Sequence, residues 1–254
     1  ADITNQGQLT NTAMMAAGNQ LTLDTGSLIQ SATGQLIACL TPDGKLSTLP
    51  AHLTITSRDA QTNAGLNLAT GDLTVSGAAL NYTGSQNQAQ TIALTAKTGD
   101  ITLSGAQTQA AGQIALTTPA SLVHDSLDAT HKAVMQADRF AINAGNVSNQ
   151  GGTINQTGSA DFTIHTGNFN NQGGQLGGNA SNLNVTATGI VNNQDGALIH
   201  TGSGDMRISG ASVNNTRGQL ITNRGLTLTS AGTVTNDAGT IQAVQATITA
   251  GQLS

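Results

Sequence analysis

VNNQDGAL, residues 191–198, is one copy of a phrase that occurs five times between residues 147 and 241. Each copy starts with an apolar residue and has Asn two positions on, Gly five positions on and Ile or Leu seven positions on. The other copies are VSNQGGTI from Val147, FNNQGGQL from Phe169, VNNTRGQL from Val213 and VTNDAGTI from Val234. Their glycines recur with a nearly constant period, and only the last step is shorter, by one position: Gly152, Gly174, Gly196, Gly218 and Gly239. Such a period predicts a solenoid, whose units bury their apolar faces by stacking on one another.

The runs between the phrases indicate which solenoid this is. Phe162-Thr163-Ile164 and Leu183-Asn184-Val185 alternate apolar and polar residues, which is typical of strands with one buried face. The Leu-x-x-Leu-x-Leu frame of a leucine-rich repeat is missing. The sequence therefore predicts an all-β fold, a parallel β-helix (β-solenoid) of roughly a dozen coils of about 20–22 residues.

The repeat weakens towards the N-terminus. IQSATGQL from Ile29 fits the phrase with Ser31 in the place of Asn, and Ile3 to Leu9 fits a shortened copy. Alternating runs such as Leu53-Thr54-Ile55 continue between these copies and the regular ones. We expect a single solenoid over residues 1–254, with its most regular repeats in 146–254.

Two irregular segments, 40–64 and 113–144, interrupt this pattern. Residues 45–64 and 113–144 contain no Gly, and the three prolines (Pro42, Pro50 and Pro119) lie in or just before these gaps. The second segment fits either an amphipathic helix that starts at Ser121 or coils with longer corners. Insertions in solenoids commonly carry binding surfaces. The candidate binding residues are therefore those of the second gap: His124, Asp125, Asp128, His131 and Lys132.

Three of these residues, His124, Asp128 and His131, would share one face of a helix. Imidazole and carboxylate groups at such spacings can bind zinc. The alternative, which we favour, is that they are solvated polar residues on an exposed loop or helix. We expect no metal and no cofactor.

Composition excludes several classes of function. Charged residues make up 8% of the chain, aromatic residues 2%, and the net charge is −5, so there is no basic surface for nucleic acid. No apolar stretch approaches the length of a membrane-spanning helix, which argues against membrane insertion. Cys39 is the single cysteine, so an internal disulfide is impossible; it is either a small core residue or the site of an intermolecular bridge.

The repeated asparagines predict a structural role. They fall at equal positions on successive coils, where their side-chain amides can hydrogen-bond in a ladder along the rod: Asn149, Asn171, Asn193, Asn215 and Asn236. An alternative function, a polysaccharide-active β-helix enzyme, needs carboxylates gathered in a groove. Asp161 and Asp205 occupy matching corners two coils apart, but Asn182 stands between them, and Asp at corners is typical of turns.

The Asn-Asn-Gln and Gly phrases of the last 110 or so residues resemble the repeats of filamentous-haemagglutinin-type exoproteins, which are secreted by two-partner systems and include CdiA-type effectors of contact-dependent growth inhibition. This resemblance implies a right-handed parallel β-helix within a long filament on the bacterial cell surface. The family's export domain carries Asn-Pro motifs, and a Val-Glu-Asn-Asn motif precedes CdiA toxins; neither motif occurs here. The resemblance therefore implies an internal filament segment without export domain or toxin.

The implied function is adhesion or receptor binding and the display of a distal effector. The partners implied are an outer-membrane receptor of a target bacterium or a host-cell surface, and an outer-membrane transporter during secretion. The alternative is a purely structural stalk that binds nothing. The Gly-free gaps favour receptor binding, because a stalk has no need to interrupt its own repeat.

Overall fold

The computed structural model describes residues 1–41, 43–47 and 49–254, and within them the chain forms strands and no helix. The strands belong to two sheets, sheet I with 18 strands and sheet II with 11, and all the pairings between strands are parallel. Together they stack into a β-solenoid of about 12 turns. The predicted fold class is confirmed.

Sheet I contains β1 (Asp2–Asn11), β3 (Gln20–Gln30), β5 (His52–Ser57), β6 (Gln61–Asn63), β8 (Asp72–Gly77), β9 (Leu80–Asn81), β11 (Thr91–Ala96), β12 (Ile101–Thr102), β14 (Gln113–Val123), β16 (Arg139–Ser148), β18 (Phe162–Thr166), β19 (Phe169–Asn170), β21 (Leu183–Ala187), β22 (Ile190–Asn192), β24 (Met206–Gly210), β25 (Ser212–Asn214), β27 (Gly225–Thr235) and β29 (Gln245–Leu253). Sheet II contains β2 (Met14–Ala17), β4 (Gln35–Ala38), β7 (Leu66–Ala69), β10 (Gln86–Ala89), β13 (Gln107–Ala110), β15 (Val134–Ala137), β17 (Thr153–Gln156), β20 (Gln175–Gly178), β23 (Ala197–His200), β26 (Gln219–Thr222) and β28 (Thr240–Gln242).

Each coil contributes to three faces of the solenoid, of which two belong to sheet I and one to sheet II. On some coils a single strand continues over the bend between the two faces of sheet I, and on others the bend divides it into two strands. The long strand β3 is continuous, for example, and pairs with both β5 and β6 of the next coil. Pro119 lies at this bend in β14, where the pairing register with β16 shifts between Thr118 and Ser121. An irregularity of this kind tolerates a residue without an N–H group.

The interior is a narrow apolar stack. Leu53, Leu73, Ile92 and Ile114 pair in register on four consecutive coils, and all four are fully buried. The alternation of the sequence places these side chains inside and their neighbours outside. Phe140 and Phe162 continue the column as stacked rings, with centroids 5.1 Å apart.

Coil length identifies the irregular parts. Most coils have nearly the same length from a strand residue to its partner on the next coil, about that from Phe162 to Leu183. The coil that leads from Leu21 to its partner Leu53 is longer by about half, and the coil from Ile114 to Phe140 is longer by about a quarter. The additional residues form two insertions, insertion 1 (39–51) and insertion 2 (125–133). Pro42 and Thr48 lie outside the described residues.

Of the two alternatives for the second segment, the structure has the coil with a longer corner and not the helix. Ser121, Leu122 and Val123 lie in β14, where the run alternates in burial and pairs with β16. The assignment of Ser31 to the asparagine position was wrong: Gln30 occupies that column, because Gln30 pairs with Asn11 and Asn63. Within the described residues, no helix has the length and apolar character needed to cross a membrane.

Candidate binding face and its two insertions

The repeated asparagines form a continuous interior column. Nδ2 of each donates to Oδ1 of the next, over 2.7 Å from Asn149 to Asn171, 2.8 Å from Asn171 to Asn193, and 2.7 Å for both of the following steps to Asn215 and Asn236. The same amides donate to carbonyl oxygens at the corner, such as Asn171 to Gly174 at 3.1 Å. All but Asn236 are buried. The column is a structural support whose polar groups are already paired.

The repeated glycines are required by this column. A Cβ atom on Gly174 would collide with the carbonyl oxygen of Asn149 and approach Oδ1 of Asn171 to 2.9 Å. Gly196 and Gly218 have the same neighbours one and two coils further on. The fixed Asn-x-x-Gly spacing therefore reflects close contact between the corner backbone and the amide inside it.

His124 belongs to the same column and is not on the surface. Val123 pairs with Ser148, so His124 lies level with Asn149, and its Nδ1 is 2.7 Å from Asn149 Oδ1. Because that oxygen is an acceptor, Nδ1 carries the proton and Nε2 is left with a lone pair. Nε2 is buried without a hydrogen-bond partner in the described structure. Burial lowers the pKa of His124 to about 4, so the ring is neutral at pH 7.

The other candidate residues lie in insertion 2, which forms a compact exposed turn. Asp128 Oδ1 accepts from the backbone N–H groups of Thr130 and His131, and Oδ2 is 2.8 Å from His131 Nδ1. The hydroxyl of Thr130 and the His131 ring hold the pKa of Asp128 well below its usual range. His124 is inside the solenoid and apart from this pair. The described residues contain no group of three His, Cys, Asp or Glu side chains able to hold a metal ion.

Insertion 2 is fixed to the neighbouring coils at both of its ends. Asp125 Oδ1 accepts from Ser148 Oγ at 2.6 Å and from the Gln150 backbone N–H at 2.7 Å. At the other end, Gln107 Nε2 donates to the carbonyl oxygen of Lys132 at 2.7 Å. The exposed Lys132 side chain is therefore carried on an anchored backbone.

Insertion 1 covers an apolar part of sheet II. Ile37, Leu66 and Leu68 face outwards there, and together with Ala51 they enclose Cys39 in a small second core. An antiparallel bridge between Leu40 and Leu46 closes the insertion. Burial also raises the pKa of the Cys39 thiol. Leu46 and Leu49 remain 60% and 66% exposed at its outer side.

Both insertions adjoin sheet II, one following β4 and the other preceding β15. Between them the outer surface of this sheet is rich in exposed amides: Gln86, Gln88, Gln107, Gln109 and Gln136. We call the surface made of the two insertions and these glutamines the insertion face. It is uncharged except at the insertions.

The possible enzyme carboxylates have structural partners. Asp161 Oδ1 accepts from Asn182 Nδ2 at 2.9 Å, and Asn182 Oδ1 accepts from the Asp205 backbone N–H at 3.0 Å. Asp205 also pairs with Arg207 at 2.8 Å. This corner row is a hydrogen-bonded chain along the rod, comparable to the interior column but exposed.

Comparison with known proteins gives a relative for this repeat. The chain is similar over 149 residues to Toxin CdiA of Yersinia pestis. The two are 32% identical there, and the match covers 59% of this chain but 4% of the relative. No family model and no solved structure matches. Fold and similarity together are consistent with a segment of a filamentous-haemagglutinin-type exoprotein.

Sequence reasoning missed the role of His124, although a signal for it exists. Leu122-Val123-His124 repeats the start of the phrase Val147-Ser148-Asn149, with His in place of Asn. The glycine expected three positions later is absent, because insertion 2 begins directly after His124, and this absence hid the repeat.

Proposed function

We propose that this chain is an internal filament segment of a large secreted surface exoprotein, and that it binds a receptor through the insertion face. The observation that carries this proposal is that both departures from the regular coil adjoin the same sheet. A rod that serves only as a spacer needs neither insertion. Similarity to Toxin CdiA supports the assignment to a secreted, extracellular protein at the bacterial cell surface.

The mechanism follows from the paired coils. Backbone hydrogen bonds and the asparagine column hold neighbouring coils together along the rod axis, so the segment keeps a distal effector away from the producing cell. The insertion face then meets an outer-membrane receptor of a target bacterium or a host-cell surface. Export requires an outer-membrane transporter. We assign no catalytic step, because Asp161 and Asp205 already have partners within the described structure.

A loop-exchange variant tests receptor binding. In this variant, residues 125–133 are replaced by Gln-Gly-Gly, the sequence of residues 150–152. Those three residues connect Asn149 to Thr153, which is the regular corner. The nine residues 125–133 make the equivalent connection from His124 to Val134. The labelled chain and the variant are incubated with intact bacteria and with epithelial cells. Saturable binding that the variant loses supports recognition by insertion 2.

A second variant, Leu46→Ser/Leu49→Ser, tests insertion 1. Both side chains are largely exposed, so the exchange leaves the small core around Cys39 in place. Unchanged urea midpoints verify that both variants fold. If the parent chain binds neither cell type, the receptor proposal is wrong and the purely structural stalk stands.

A further inference from the structure

A shallow groove runs along the corner of the solenoid next to insertion 2. Its volume is about 260 Å³, and its lining comes from five successive coils. Lys132 lies at one end, and an ion pair between Asp195 and Arg217 lies at the other. The floor is formed largely by corner glycines, Gly151–Gly152, Gly173–Gly174 and Gly196. The backbone is therefore open to close approach by a ligand lying along the rod.

The groove has one uncompensated charge. Arg217 Nε and one terminal nitrogen donate to the two carboxylate oxygens of Asp195 at 2.6 and 2.8 Å, so these two charges neutralise each other. Within the described residues, Lys132 pairs with no carboxylate. A ligand in this groove therefore meets a single cation at a fixed end.

The wall of the groove offers uncharged hydrogen-bonding groups. Thr153, Gln175 and Gln219 line it on sheet II, and within the described structure their side chains form no hydrogen bond with protein. β17, β20 and β26 are each paired on both sides, so a peptide cannot add to them as an edge strand. These side chains are therefore free to exchange hydrogen bonds with the hydroxyl groups of a ligand.

We propose that this groove binds an extended glycan that carries carboxylate groups, with one carboxylate on Lys132 and sugar hydroxyls on Thr153, Gln175 and Gln219. The inference rests on the proposed function and adds the ligand class and the residues. A single cation is matched by one carboxylate, so the groove needs a carboxylated sugar and not the dense charge of a sulfated polyanion. Tyr82 and the three phenylalanines are buried, so affinity depends on polar contacts and falls with salt.

The test uses the galacturonic acid tetramer and its fully methyl-esterified form as matched probes. We expect the acid form to bind by calorimetry or NMR titration and the ester to bind several-fold more weakly. Lys132→Ala weakens acid binding by up to about fivefold, the upper end for an exposed ion pair. Lys97→Ala removes another exposed lysine, far from the groove, and leaves binding unchanged.

A second pair of variants tests the groove itself. Gly173 has a φ of +63° and open space around its Cβ direction, and Asp195 occupies the same column with a φ of 56°. Gly173→Asn is therefore tolerated and blocks the groove, while Gly84→Asn makes the same change outside it. Failure of the acid tetramer to bind, equal binding of the ester, or equal effects of the two glycine variants overturns the proposal. Cell binding that survives Lys132→Ala but not the loop exchange leaves the receptor proposal intact.

Discussion

Replacing Asn193 by Ala tests the interior column most directly. Asn193 Nδ2 donates to Asn215 Oδ1 at 2.7 Å, to Gln219 O at 3.0 Å and to Gly196 O at 3.3 Å. Its Oδ1 accepts from Asn171 Nδ2 at 2.8 Å. All these groups lie at a buried corner, so removal of the amide leaves the Asn215 oxygen without a donor and opens a small void.

The expected cost follows from these partners. A buried polar atom left unpaired costs about 1–3 kcal/mol. Loss of packing around the shortened side chain adds to this, so we expect Asn193→Ala to lower the free energy of unfolding by on the order of 3 kcal/mol. Asn192→Ala is the matched control: its side chain is half-buried, and water replaces its bonds to Asn170 and Asn214. We expect that control to cost about 0.5 kcal/mol or less.

Urea unfolding followed by far-UV circular dichroism measures both variants. Amide hydrogen exchange locates the effect, since a stacked array can lose stability in a few coils before the rest unfolds. Exchange should accelerate in the coils of Asn171, Asn193 and Asn215. If the two variants have the same urea midpoint, the column is not a principal support of the stack.

Three further results are expected. His124 has a pKa of about 4 in the folded state and 6.5 in the unfolded state, so the unfolded chain takes up the proton first as pH falls. The free energy of unfolding should therefore decrease by on the order of 3 kcal/mol between about pH 6.5 and about pH 4. Urea titrations at several pH values should show that His124→Asn removes this pH dependence. In the same assay, Gly174→Ala should lower the free energy of unfolding several-fold more than Gly173→Ala does, because a Cβ on residue 174 meets the Asn149 carbonyl oxygen. Equal losses for the two variants contradict the packing argument. Cys39 should react with a thiol reagent only when insertion 1 opens, so a fast reaction at native pH and no urea argues against its burial.

The sequence was sufficient for the fold because the repeat encodes it locally. In each regular coil the apolar residue, Asn and Gly have the same spacing, and each has a single physical role. Val191 fills the interior, Asn193 joins the column and Gly196 lets the corner pass over it. Stacking then depends only on neighbours, so one period describes every coil that keeps it.

The candidate site was less accessible to sequence reasoning, because its residues are separated by topology. His124 and Lys132 are eight positions apart, yet one is buried inside the column and the other lies at the edge of a surface groove. The other side chains of that groove, such as Gln175 and Gln219, come from coils two and four levels away. Insertion 2 is longer than the corner it replaces, so the repeat loses its period there. This loss also hid the register of His124.

The direction of the hydrogen bonds determines how this rod responds to force. Bonds between coils point along the axis, so a pull on the two ends loads them one after another rather than all together. Each coil that detaches releases about 22 residues, which adds roughly 70 Å of extended chain. Single-molecule stretching should record a series of steps of that size. A tether built in this way lengthens greatly before it breaks, and its unopened coils keep their surfaces intact.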